Sequence, residues 1–529
     1  MTRQSGEWVC LPWTCPMRRD TDTQRPSRRP NGLLLVLLAG VAVVLPALAV
    51  GADRAARPGA APALAYTGPT TVRAGTTLSA RTPADRNIVA VTFRIDGKPF
   101  VSDTVPPYSA RVLTGELGPG RHRVVVELVY RSGERRRSKP SRIDVPRRGG
   151  QRMLTVSPAR FAVAARRMAA GNVAVRLLPG RYPIRELPIG SNVTLVGSGP
   201  ATVLETSSDD HWGGLVLKGS DITVASLAIR SASPGARGRA IAVQPGSQRV
   251  MLRRLDISRT RDAGVYVWGA ASEVTVQDSR IDGGTTAVAG VIVRTGEGND
   301  ASVIRTRITR FAGYGILFSQ VRHDNRSAGL RNVALDNDIA DIDAAEDTDG
   351  RSKGGIWSGG ALASIIGNRV TRAGWDGIET VGSSYEVVIA RNAISRTRVG
   401  IYLEHATHSS LISRNVISDV RTGINVEWFY DGIGSADNQF VQNAIHNAQI
   451  GIFVDYGSDR NLLSRNRFHY GGRPSIILQG ASQNRVVENV ACGAEGTVVR
   501  EQAADPGTGV SVRGTANVIE ANTSVASCG

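Results

Sequence analysis

Between Gly374 and Tyr456 apolar and polar residues alternate in short bursts, each opened by a glycine. The bursts are Gly377-Ile378-Glu379-Thr380, Gly400-Ile401-Tyr402-Leu403-Glu404, Gly423-Ile424-Asn425-Val426-Glu427 and Gly451-Ile452-Phe453-Val454-Asp455. Their glycines are 23, 23 and 28 residues apart. An alternation of two is the period of a strand, and a fixed spacing of this length is the mark of a stacked repeat. Each repeat buries its apolar edge only against its neighbours. The pattern therefore predicts a parallel β-helix whose coils are about 23 residues long.

Strands opened by a small residue recur at Gly264, Gly290, Gly315, Gly355, Ser475 and Gly509. An asparagine column keeps the same beat through Asn337, Asn368, Asn392, Asn415, Asn443, Asn466, Asn489 and Asn522, and a shorter one through Asn438, Asn461, Asn484 and Asn517. Stacked amides can bond to one another and to turn backbone, and asparagine tolerates the left-handed conformation, so both columns are assigned to structure. The coils fill 151–529. Ser157-Pro158 opens, and Gly171 closes, a helix over 157–170 with Phe161, Ala164, Ala165 and Met168 on one face. It is expected to cap the open end of the solenoid core.

Ahead of the solenoid the alternation becomes antiparallel. Ile88 to Ile95 alternates, Asp96-Gly97 makes a hairpin turn, and Arg123 to Tyr130 alternates again, which predicts a small β-sandwich over 64–146. The tripeptide Arg135-Arg136-Arg137 is expected at a solvated hairpin tip. Residues 53–63 read as a linker. Gly32 to Ala52 is an uncharged apolar run preceded by arginines in 1–31, and Pro46 followed by Ala47-Leu48-Ala49 has the form of a cleavage site. It serves equally as a signal peptide or a single membrane anchor over 32–52. Both place the rest of the chain outside the cytoplasm. Cys492 and Cys528 in the last coils can then close a disulfide.

The chain carries a formal charge of +18, with 60 of its 64 basic residues arginine. That suits an anionic partner such as an acidic polysaccharide, although a GC-rich genome gives the same bias. Without a nucleic-acid-binding motif, and with an export segment, no nucleic-acid partner is expected. A monomer is expected.

With Ile378, Ile401, Leu403, Ile424, Val426, Ile452 and Val454 turned inward, the residues between them face outward. Glu379, Glu404, Glu427 and Asp455 then gather on consecutive coils about 4.8 Å apart, beside Tyr402, Asn425, His405 and Trp428. Neighbouring carboxylates raise one another's pKa unless a proton, cation or ligand relieves them. Lengthened coils at 319–329, 340–353 and 428–437 are expected to wall the face. Candidate catalytic residues are Glu404, Glu427, Asp455, Glu379 and His405. Candidate substrate contacts are Tyr402, Asn425, Trp357, Trp428, Arg398 and Phe453. No cofactor is required, and a Ca²⁺ held by Glu404, Glu427 and Asp455 is a further option.

The repeat with its asparagine columns over 173–529, opened by Val175-Arg176-Leu177-Leu178-Pro179-Gly180-Arg181-Tyr182, resembles the right-handed parallel β-helix superfamily of pectate lyases, polygalacturonases and alginate epimerases. Phe93-Arg94-Ile95-Asp96-Gly97-Lys98 with Pro107-Tyr108-Ser109 resembles bacterial immunoglobulin-like modules, which implies a spacer or a carbohydrate-contacting unit. The first resemblance implies polysaccharide binding on the face of the glycine strands. Hydrolysis fits paired carboxylates: Glu404 and Asp455, two coils and ~9.6 Å apart, suit inversion, and adjacent ones retention. Lyase or epimerase chemistry fits His405 or His408, Tyr402 and Arg398. The chain has Glu404-His405-Ala406 where alginate epimerases have Asp-Pro-His, and it lacks the Asn-Thr-Asp and Gly-His-Gly of polygalacturonases. A non-catalytic adhesive protein, binding glycans through Trp268, Trp357, Tyr402 and Phe453, is the competing class.

Overall fold

The computed structural model describes residues 64–113, 115–147, 153–207, 213–231, 238–295, 300–320, 331–342, 354–360, 362–382, 384–404, 406–427, 434–469, 474–493, 498–504 and 511–526. From Leu154 to Val525 short strands pair in parallel with the strands one coil above and below, giving a right-handed parallel β-helix. The register is the one the glycines predict as far as Ser475; the strand paired next is Val499–Gln502, ahead of the expected Gly509, which lies outside the described residues. Trp357 pairs with Glu379, Glu379 with Tyr402, Tyr402 with Asn425, and Asn425 with Phe453. Ile378, Ile401, Leu403, Ile424, Val426, Ile452 and Val454 are all fully buried in one continuous core.

The glycine column is enforced by close packing. A Cβ on Gly400 would lie 2.5 Å from the Gly423 carbonyl oxygen and 2.5 Å from Cγ2 of Ile417. The coil corner leaves room for a hydrogen and nothing larger.

Both asparagine columns are buried ladders. Each amide oxygen accepts from the backbone N–H of the asparagine one coil earlier, at 2.8–3.0 Å from Asn337 through Asn522. The side-chain amides of Asn392, Asn415 and Asn443 donate to the next amide oxygen and to a strand carbonyl. The left-handed conformation belongs to the residue before each asparagine and not to the asparagine itself. Arg391, Arg414, Gln442, Arg465 and Glu488 have φ of 55–58°. The asparagines are fixed by amide bonding alone. Replacing Asn443 by alanine is expected to orphan buried groups on two coils and lower unfolding stability by about 1–3 kcal/mol in chemical denaturation. A midpoint equal to wild type would contradict the ladder's role.

The capping helix forms as a 3₁₀ turn, Pro158–Arg160, running into Phe161–Ala170. Ser157 makes no side-chain cap bond, so Pro158 supplies the start. Phe161, Ala164 and Met168 are buried over the first coils, with Phe161 edge-on to Tyr182 at 5.1 Å.

Residues 65–145 form two antiparallel sheets around one core containing Leu78, Phe93, Val101, Val126 and Ile143. The module is clamped to the side of the solenoid. Val89, Ala90 and Val129 bury against Ile304, Val333, Leu335, Ile366, Val388 and Ala390 of consecutive coils. Polar ties flank this patch. Ser102 N–H donates to Gln277 at 3.1 Å, Arg305 donates to Ser102 Oγ at 2.6 Å, and Glu116 accepts from Arg253 at 2.8 Å and from Arg254. Arg135 grips both oxygens of Asp336 at 2.6 and 2.7 Å and, with Arg137, neutralises the buried Glu127. The arginine tripeptide thus docks the module and is not merely solvated.

Among the described residues no helix is long and apolar enough to cross a membrane. The 32–52 segment and the 53–63 linker lie outside those residues. Most of the three expected wall insertions do too. Cys492 is disulfide-bonded, while Cys528 lies outside the described residues.

Candidate functional site

The outward positions of the glycine strands surround a cavity of about 370 Å³. Its lining includes Glu404 and Glu427 with Tyr402, Asn425, Arg398 and Phe453, all singled out from the sequence. Three unanticipated side chains join them: Asp376, Trp375 and Arg421. Trp375, Arg398 and Arg421 sit one above the other, and the Arg398 guanidinium stacks on the Trp375 ring at 3.7 Å. Arg398 and Arg421 are exposed, so they form a cationic rim.

Glu427 is held by two donors. The Tyr402 hydroxyl reaches one oxygen at 2.5 Å and the Asn425 amide the other at 2.7 Å. Both of its oxygens are thus engaged, which fixes the carboxyl in place. Burial, and then the charge of Glu427, pushes the Tyr402 phenol far above its usual range, so it stays a donor. One coil earlier, burial raises the Glu404 carboxyl, and a bond with Glu379 partly offsets this. Glu379 itself lies beneath the surface at 1% exposed, against Trp357 and Glu404. Burial first, then the charges of Asp376 and Glu404, raise it well above the carboxylate range.

Asp376 is 1% exposed, and among the described residues neither of its carboxyl oxygens has a hydrogen-bond partner. Burial, followed by the charges of Glu404 and Glu427, raises it well above its ordinary value, against the pull of Arg398. Its register position holds Gly354, Val399, Thr422 and Ile450 in neighbouring coils. An acid in an otherwise uncharged column is the signal that could have found it.

The remaining candidates are elsewhere. Asp455 continues the column one coil past Glu427 but does not line the cavity. Its carboxylate is taken by Tyr456 N–H at 2.8 Å and the Gln479 amide at 3.3 Å. Glu379 and Trp357 support the floor without lining it, contrary to the open outward face expected for them. His408 is tied into a turn, accepting from Ala436 N–H at 3.4 Å. His405 and Trp428 lie outside the described residues. Among the described residues no group of three or more His, Cys, Asp or Glu side chains is arranged to hold a metal ion, Glu404, Glu427 and Asp455 included.

The elevated carboxyls give a stability that depends on pH. Asp376 and Glu379 are protonated in the fold at pH values where an unfolded carboxyl, at about 4, is ionised. Their contribution is complete below that unfolded value and is lost as pH rises through the elevated folded values, at up to roughly 1.4 kcal/mol per pH unit for each group. Asp376→Asn cannot ionise. It is expected to flatten the fall in melting temperature as pH rises above about 4, measured by calorimetry across buffers. Parallel wild-type and variant profiles would refute the assignment.

Two family models match parts of the chain: "Right handed beta helix region" over residues 289–430, and "Periplasmic copper-binding protein (NosD)" over 362–527. No curated protein sequence matches it. Among solved structures, the Dettilon tailspike protein is similar at 12% identity and a TM-score of 0.47, covering 59% of this chain and 66% of its own. The Yersinia enterocolitica family 28 exopolygalacturonase gives 11% and 0.41, over 87% and 99% of the two chains. Pectate lyase Pel9A gives 12% and 0.34, over 58% and 78%. Likeness at this level concerns coil architecture and carries no chemistry across.

Proposed function

We propose that the chain is an extracytoplasmic polysaccharide hydrolase acting through Glu404 and Glu427. The observation that carries the reading is the pairing of these two acids, on adjacent coils, in one cavity. Glu427 is held at both oxygens by Tyr402 and Asn425, while burial raises the Glu404 carboxyl and so gives it acid character. A carboxyl with acid character beside a second, firmly positioned carboxyl is the requirement of glycosidic cleavage. Glu404 protonates the leaving oxygen, and Glu427 attacks the anomeric carbon. A water then releases the sugar, with Glu404 as base. Their places on adjacent coils, ~4.8 Å apart along the backbone, suit retention of configuration.

Polysaccharide as the substrate class is supported by the open, stacked face of the glycine strands, by Trp375 and Phe453 on the cavity wall, and by the β-helix architecture. Arg398 and Arg421 on the rim favour a second reading, β-elimination on a uronate whose carboxylate they neutralise.

Purified protein incubated with a panel of neutral and uronate polysaccharides separates these. New reducing ends without ultraviolet absorbance support hydrolysis. Absorbance of an unsaturated uronate overturns it in favour of elimination. Binding without either product leaves an adhesive protein.

A further inference from the structure

The cavity is framed by two columns of side chains. Tyr402, Asn425 and Phe453 form one, and Asp376, Val399, Thr422 and Ile450 form the other, one residue from each of four successive coils. At ~4.8 Å per coil the second column runs ~14 Å along the solenoid axis, which leaves room for a sugar ring on either side of the bond that is cut. Val399, Thr422 and Ile450 offer such a chain carbon and one hydroxyl. Asp376 alone in this column offers a carboxyl, 1% exposed and with no hydrogen bond to either oxygen among the described residues. A buried acid without partners weakens a fold, and a ligand that bonds to it removes the weakness. Nothing among the described residues ties the carboxyl down, so a small turn toward the cavity sacrifices no hydrogen bond.

We propose that Asp376 binds a hydroxyl of the departing sugar, the ring that leaves when Glu404 protonates the bridging oxygen. This rests on the hydrolase reading, with Glu404 as acid and Glu427 as nucleophile. The coil order supplies the side. Asp376, Glu404 and Glu427 follow one another on successive coils. The acid stands toward the leaving ring and the nucleophile toward the ring that is kept, so the coil beyond Glu404 faces the leaving ring. The pairing is also chemically matched. Burial, then the charges of Glu404 and Glu427, hold the Asp376 carboxyl toward its protonated form, with one O–H to donate and one oxygen to accept. A sugar hydroxyl has the same two capacities. A leaving group without a hydroxyl at that place gains nothing from Asp376.

The test compares two leaving groups on the full chain: the oligosaccharide of the panel that the wild type cuts, and the 4-nitrophenyl glycoside of the same glycone. Asp376→Val brings to this position the side chain that Val399 already places in the column. It also removes the orphaned carboxyl, so its melting temperature is expected to be no lower than that of the wild type. Its kcat/KM should fall at least tenfold further on the oligosaccharide than on the aryl glycoside. Asp376→Asn keeps a donor and an acceptor and should recover most of that difference. Equal losses on the two substrates, no loss, or an Asp376→Asn protein as impaired as Asp376→Val overturns the contact and leaves the hydrolase reading standing. A wild type that forms no hydrolytic product from any member of the panel overturns that reading and this one with it. Should Asp376→Val fail to fold, Asp376→Ala is judged by the same ratio.

Discussion

Replacing Glu427 by glutamine is expected to lower turnover of whichever polysaccharide proves to be the substrate by about 10³-fold, within the usual span for loss of an acid–base or nucleophilic group. The fold should not notice. Glutamine is isosteric, its oxygen still accepts from Asn425, and its amide can donate to the Tyr402 hydroxyl, which accepts as readily as it donates. Melting temperature therefore stays at the wild-type value while product formation collapses, a split that a structural role would not produce. Glu404→Gln should cost turnover as well, and least on substrates with a good leaving group, since those need no proton. A Glu427→Gln protein as active as wild type removes the nucleophile from the reading.

The second large effect lies far from the cavity. Glu116 and Arg253 meet at 2.8 Å where the antiparallel module docks on the solenoid, with side chains 4% and 2% exposed. The Arg253 guanidinium is only partly satisfied, since its Nε and Nη1 have no partner among the described residues. Glu116→Ala strips the counter-charge from a buried cation and is expected to destabilise by about 3–5 kcal/mol, read as a drop in unfolding midpoint. Adding Arg253→Met to Glu116→Leu should recover most of that loss, because two apolar side chains need no mutual neutralisation. If Glu116→Ala unfolds with wild-type stability, the docked interface is not the one described.

How much of this was legible in the residues differs by scale. The coil register was, because the glycine corners and the aliphatics behind them tolerate one alignment only: Gly400 has no room for a methyl. The column Glu379, Tyr402, Asn425, Phe453 followed from it. What the repeat could not show was depth. Glu379 occupies an outward position yet is sealed under Trp357 and Glu404, while Asp455, in the same line as Glu404 and Glu427, turns to Gln479. Asp376 escaped notice because it precedes the glycine, outside the alternation that defines the strand. The role of the arginine tripeptide was also hidden, since the partner of Arg135 is Asp336, 201 residues later.

That separation bears on the order in which the protein is built. Residues 65–145 leave the ribosome before any coil exists, and domains generally fold as they emerge. The apolar flank spanning Ile304 to Ala390 would be sticky if it emerged alone. Instead it is synthesised in the presence of a finished partner that accepts it one coil at a time. The order of synthesis thus puts the module in place before the flank it covers. Moving its coding segment behind the solenoid should yield aggregates, even though every native contact remains available.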